Sequence, residues 1–102
     1  MRLIVMYDLP MTTASNIRDY NHFRNLLFKS GFIMIQESVY CKLFLNQDQL
    51  RFGEKALKKL MPKKGNVRSI AVTEKQYQKM IIHVGSKTNN EFIMNDRRLQ
   101  EI

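Results

Sequence analysis

With 102 residues, 44% of them hydrophobic and 25% charged, the chain is sized for one small globular domain and is not disordered from end to end. Seventeen Lys and Arg against nine Asp and Glu give a net charge of +8, so polyanions are the expected partners, nucleic acid before acidic membrane. No apolar run approaches the ~18 residues that span a bilayer and no secretory leader pattern is present, so a cytoplasmic protein is expected. Cys41 is the single cysteine, which excludes an intrachain disulfide and a multi-cysteine zinc site, and leaves oxygen ligands for any metal.

In chain order, Arg2 to Asp8 is β-friendly and mostly apolar on both faces, the pattern of a central strand. Pro10 breaks it. Thr12, Thr13 and Ser15 offer N-caps for a helix over residues 14–30, with Ile17, Tyr20, Phe23 and Leu27 at helical spacing and Gly31 as the stop. Phe32 to Ile35 and Val39 to Leu45 are strand-like runs around Gln36, Glu37 and Ser38, read as a hairpin. A second helix over 47–61 carries Leu50, Ala56, Leu57, Leu60 and Met61 as its apolar stripe and ends at Pro62. "NVRSIAVT" is a fourth strand and Met80 to Val84 a fifth, after a short "EKQYQ" connection.

This order predicts a ferredoxin-like α+β sandwich over residues 1–85: a four-stranded antiparallel sheet with both helices on one face. The other sheet face stays apolar and open. A homodimer is expected to cover it, with the fifth strand crossing to the partner's sheet edge. Residues 86–102 form a polar tail with an apolar island, Phe92, Ile93 and Met94, either disordered or docked on a partner.

Asp8 closes the first strand, either as a turn residue or as a carboxylate delivered to the end of the sheet for a hard cation. One carboxylate is too few for Mg²⁺; two from a symmetric dimer would serve. Seven basic residues against two acidic ones between Gln47 and Arg68 read as a solvated face or a phosphate-binding surface without sequence preference. Thr12, Thr13, Ser15 and Asn16, with Arg18 one turn on, read as N-capping or phosphate donors. Phe23, Phe28, Phe32, Tyr40 and Phe44 are expected in the core and Cys41 as an inert buried thiol, while His22 and His83 have no evident catalytic partner.

"VMYDLP", "FRNLLFKSGF" and "QESVYCKL", set in this layout, resemble the CRISPR-associated protein two (Cas-two) family, most closely its type II-A form, over residues 1–85. The resemblance implies a homodimer in which two Asp8 carboxylates face each other and hold Mg²⁺, and Asp8 is then both catalytic and metal-binding. It also implies the centre of a spacer-acquisition complex that bridges dimers of the CRISPR integrase (Cas-one) and holds a double-stranded DNA prespacer. The alternative it implies is a Mg²⁺-dependent endonuclease or endoribonuclease. Thr12, Thr13, Asn16, Arg18 and Lys87 are then the expected nucleic-acid contacts, and Phe92, Ile93 and Met94 the integrase-binding segment.

Overall fold

The computed structural model describes residues 1–86. Arg2–Asp8 forms β1, and its alternate residues meet different neighbours. Leu3, Val5 and Tyr7 enter the main core with Tyr20, Phe23 and Leu27 of α1 (Ala14–Lys29) and Leu50 and Leu57 of α2 (Gln47–Lys58). Ile4 turns the other way, into a smaller cluster with Cys41 and Tyr77. β2 (Ile33–Gln36), β3 (Val39–Leu43) and β4 (Asn66–Val72) complete an antiparallel sheet in the order β2-β3-β1-β4. With both long helices on one face, this is the expected ferredoxin-like α+β arrangement.

The helix ends follow their caps. Thr13 Oγ1 accepts from the Asn16 amide and Asn46 Oδ1 from the Gln49 amide, each filling a donor that the first turn leaves open. Two expected core positions face outward instead: Ile17 is 41% and Phe28 66% exposed. Both satisfy the helical period, but α1 spans the sheet with a stripe only as wide as Tyr20, Phe23 and Leu27. On α2, Ala56 and Met61 are likewise exposed, leaving Leu50 and Leu57 buried and Leu60 at the margin.

The larger correction lies after β4. "EKQYQ" is a third helix, α3 (Glu74–Gln78), closed by a Thr73–Gln76 capping box, and it packs on the face opposite α1 and α2. Met80–Val84 is irregular and forms no strand within this chain. Ile81 and Val84 are accordingly 72% and 94% exposed.

Tyr7 sits at the centre of the main core, edge-on to Tyr20 and Phe23 and stacked on Tyr40. Burial, reinforced by Tyr40 and Tyr20, holds its phenol well above the ordinary 10.0, and burial also raises Tyr40. Above pH 10 the unfolded chain loses phenolic protons that the fold retains, so stability is expected to fall as pH rises, by up to about 1.4 kcal/mol per pH unit for each group. The enclosed Tyr7 hydroxyl makes no hydrogen bond of good geometry among the described residues, only looser approaches to the Tyr40 and Tyr20 hydroxyls. Tyr7→Phe is therefore expected to stabilise the fold by about 1 kcal/mol in urea unfolding and to flatten its alkaline slope.

Candidate active site at the end of β1

Asp8 is the last residue of β1 and points to the open sheet face, where its carboxylate is exposed. The antiparallel register sets Asn66 opposite Asp8 and Arg68 opposite Met6, so Arg68 is the diagonal neighbour of Asp8 on that face. Met6, Tyr7, Asp8, Asn66 and Arg68 together line a shallow hollow of about 340 Å³. Asp8 makes no ion pair among the described residues.

The backbone at Asp8 is held from both sides. On one, the Tyr7 amide donates to the Ser38 carbonyl at 3.1 Å, at the tip of the β2–β3 hairpin. Ser38 is left-handed there (φ 61°), and the tip is tied to α1 by the Tyr20 hydroxyl, which donates to Glu37 Oε1 at 3.2 Å. On the other, Gly65 has φ +96°, and a Cβ there would stand 2.7 Å from the Asp8 carbonyl oxygen and 2.6 Å from Leu9 Cδ2. Only glycine fits both the backbone angle and the approach. Gly65→Ala is expected to cost about 2–3 kcal/mol in denaturant unfolding, from left-handed strain plus a clash with backbone that cannot step aside.

A hard cation takes about six oxygen ligands. Asp8 supplies one carboxylate and Asn66 one amide oxygen nearby, and no group of three His, Cys, Asp or Glu exists among the described residues that could hold a metal. The described residues of one chain therefore bring two oxygen-bearing groups, Asp8 and Asn66, to this end of the sheet, fewer than a hard cation takes. The oxygen chemistry fits the ion; the ligand number fits it only when a second Asp8 is brought up.

Arg51, Lys55, Lys58, Lys59, Lys63, Lys64 and Arg68 are all exposed. Among the described residues one ion pair draws on them, Arg51 with Asp48 at 3.8 Å, so the surface stays strongly positive. Lys59, Lys63 and Lys64 rim a hollow of about 520 Å³ between α1 and the end of α2, which also takes in His22 and Asp19. At the start of α1 the hydroxyl and amide side chains engage one another and the helix end. Thr13 caps the helix, Asn16 Nδ2 donates to Thr12 Oγ1 at 3.1 Å, and Arg18 projects from the first turn into solvent.

Cys41 is buried as expected. Lys87, Phe92, Ile93 and Met94 lie outside the described residues. The residues missed by sequence reasoning are Asn66 and Gly65 beside Asp8; Arg68 was visible only as one of seven basic residues. The signal for all three is the antiparallel return of β4, which brings its first residues to the last residues of β1.

A family model described as CRISPR associated protein Cas2 matches residues 1–80. The chain belongs to the Cas2 family. Among similar proteins, the CRISPR-associated endoribonuclease Cas2 of Treponema denticola is 46% identical over 99 residues, covering 97% of each chain. The protein of the same name from Ligilactobacillus salivarius is 42% identical over 87 residues, 85% of this chain and 86% of the other. The fold is also that of Streptococcus pyogenes Cas2, whose crystal structure at pH 6.5 aligns with a TM-score of 0.59 and 21% identity over 83% of this chain and all of that one. No helix among the described residues of this Cas2-family chain is long and apolar enough to cross a membrane.

Proposed function

We propose that this Cas2-family chain is a Mg²⁺-dependent endoribonuclease in which two copies share one catalytic centre. The observation that carries this reading is Asp8: an exposed carboxylate with no ion-pair partner among the described residues, on the uncovered end of a sheet face, beside Arg68. The names of the Treponema and Ligilactobacillus relatives support the nuclease reading of the resemblance over the bridging one. A second copy is called for by the incomplete ligand set and by exposed Met6 and Ile70 on the same face, together with exposed Met80, Ile81, Ile82 and Val84.

In this proposal the Asp8 carboxylates of the two copies hold the cation, which when bound supplies an acidified water and neutralises charge building on the phosphate. Arg68 directs a phosphate into the hollow through its forked guanidinium, and Asn66 hydrogen-bonds the same group. Lys59, Lys63 and Lys64 retain flanking phosphates by charge alone, which predicts cleavage with little sequence preference and a steep loss of affinity with salt. Single-stranded RNA incubated with the purified protein is expected to be cleaved with Mg²⁺, left intact with excess EDTA, and cleaved at least 100-fold more slowly by Asp8→Asn. Equal rates for wild type and Asp8→Asn would sink the proposal.

The breadth of the basic surface favours a second, compatible reading, in which the same homodimer holds a DNA duplex and bridges integrase dimers during spacer acquisition. That role needs shape and charge and is independent of hydrolysis. Light scattering of the protein mixed with integrase and duplex tests it: a larger ternary assembly supports it, and unchanged masses overturn it.

A further inference from the structure

Arg2 has no exposed surface, although it lies on the open sheet face and not beneath α1 and α2. Its guanidinium donates through Nε to Glu74 Oε1 at 2.5 Å and through Nη2 to Glu74 Oε2 at 3.2 Å, and it stands 3.8 Å over the ring of Tyr77. Those contacts fasten α3 onto the face, where Tyr77 packs with Ile4 and Cys41. The cover ends there. Met6 is 37% and Ile70 52% exposed, and Asp8 is open. β1 is thus capped at its Arg2 end and bare at its Asp8 end.

The dimensions make this division consequential. Successive residues on one strand face are about 6.6 Å apart. A shared cation needs oxygens from both carboxylates within about 2–2.6 Å of it. A second copy displaced by a single such step would part the two Asp8 side chains too far for sharing. Apolar contact through Met6 and Ile70 is non-directional and does not choose between steps; a helix standing on the face does.

We propose that Arg2 is a positioning residue for the Asp8 centre: by clamping α3 over one end of the open sheet face, it confines a second copy to the Met6–Asp8 end and brings two Asp8 carboxylates to one cation. This rests on the reading above that two copies share the centre. Glu74 and Tyr77 complete the clamp, and none of the three touches the reacting atoms.

The test uses the full chain and Mn²⁺ as the probe, with binding read by electron paramagnetic resonance and self-association by sedimentation. The triple variant Arg2→Leu, Glu74→Ala, Tyr77→Ser frees α3 without leaving either charge buried alone. It is expected to fold and to self-associate within about threefold of wild type. Its Mn²⁺ binding is expected to be at least tenfold weaker, with RNA cleavage lost at Mn²⁺ levels that saturate wild type. Tyr77→Phe, which keeps the ring under the guanidinium, is expected to match wild type throughout. If the triple variant binds Mn²⁺ as tightly as wild type while Asp8→Asn does not, the positioning role is overturned and the Asp8 centre stands. Wild-type binding by Asp8→Asn, or a wild type that sediments as a monomer, overturns both. Should the triple variant not fold, Glu74→Gln is measured instead: weakened Mn²⁺ binding supports the clamp, and unchanged binding overturns it.

Discussion

Arg2→Ala is expected to lower the stability of the fold by about 3–5 kcal/mol, the loss usual when one partner of a buried ion pair is removed and the other is left behind. The pair spans 72 residues of sequence and joins β1 to α3. Burial penalises the Arg2 guanidinium, but the Glu74 hydrogen bond and charge, helped by Cys41 and Tyr77, outweigh that penalty, so its pKa lies above the ordinary arginine value and it stays charged in the fold. Alanine abandons the Glu74 carboxylate on a partly buried face and strips Tyr77 of the cation over its ring. Replacing both partners, Arg2→Met with Glu74→Leu, removes the charges together and keeps the volume. That double variant is expected to unfold within about 1 kcal/mol of wild type. Urea unfolding followed by circular dichroism separates the two outcomes; equal losses would mean that the clamp acts through packing alone.

The layout of the sheet was legible because its signals are local. The apolar run of β1, the cap at Thr13, and Pro62 after α2 each act within a few residues, and with the hairpin and strand patterns they place β1, α1, β2, β3, α2 and β4 close to their observed bounds. Gly31, read as the stop of α1, does take a positive φ of 92° just beyond the Ser30 cap. What was not legible depends on partners distant in sequence. In sequence Arg2 is only the first residue of a strand; its burial depends on Glu74 and Tyr77 folded onto it. Five residues of "EKQYQ" are too few to show a helical period, so α3 and the face it covers stayed hidden. Ile17 and Phe28 fit the helical period of α1 and still face solvent, because spacing tells which residues share a stripe and not how wide a stripe the sheet can cover. Asp8 was found from its position at a strand end, whereas its neighbours Asn66 and Arg68 needed the register of β4.

Asp8→Asn is expected to reduce Mg²⁺-dependent RNA cleavage by about 10²–10³-fold, a loss on the scale of removing one preorganised electrostatic group from a reacting centre. The unfolding midpoint should not move, since Asp8 is exposed and pairs with no cation among the described residues. A fall in rate at constant stability then belongs to chemistry or metal binding and not to loss of fold. The same variant tests whether the centre is shared. When wild type and Asp8→Asn are mixed and allowed to exchange chains, a centre that needs both Asp8 carboxylates survives only in dimers with two wild-type copies. Activity should follow the square of the wild-type fraction, about one quarter at an equal mixture, because a two-fold assembly draws its two chains independently. Two separate single-chain centres would instead give a straight line and about one half. A linear dependence therefore removes the shared cation while leaving Asp8 catalytic, and a squared one ties the chemistry to the bare end of the sheet face that α3 leaves open.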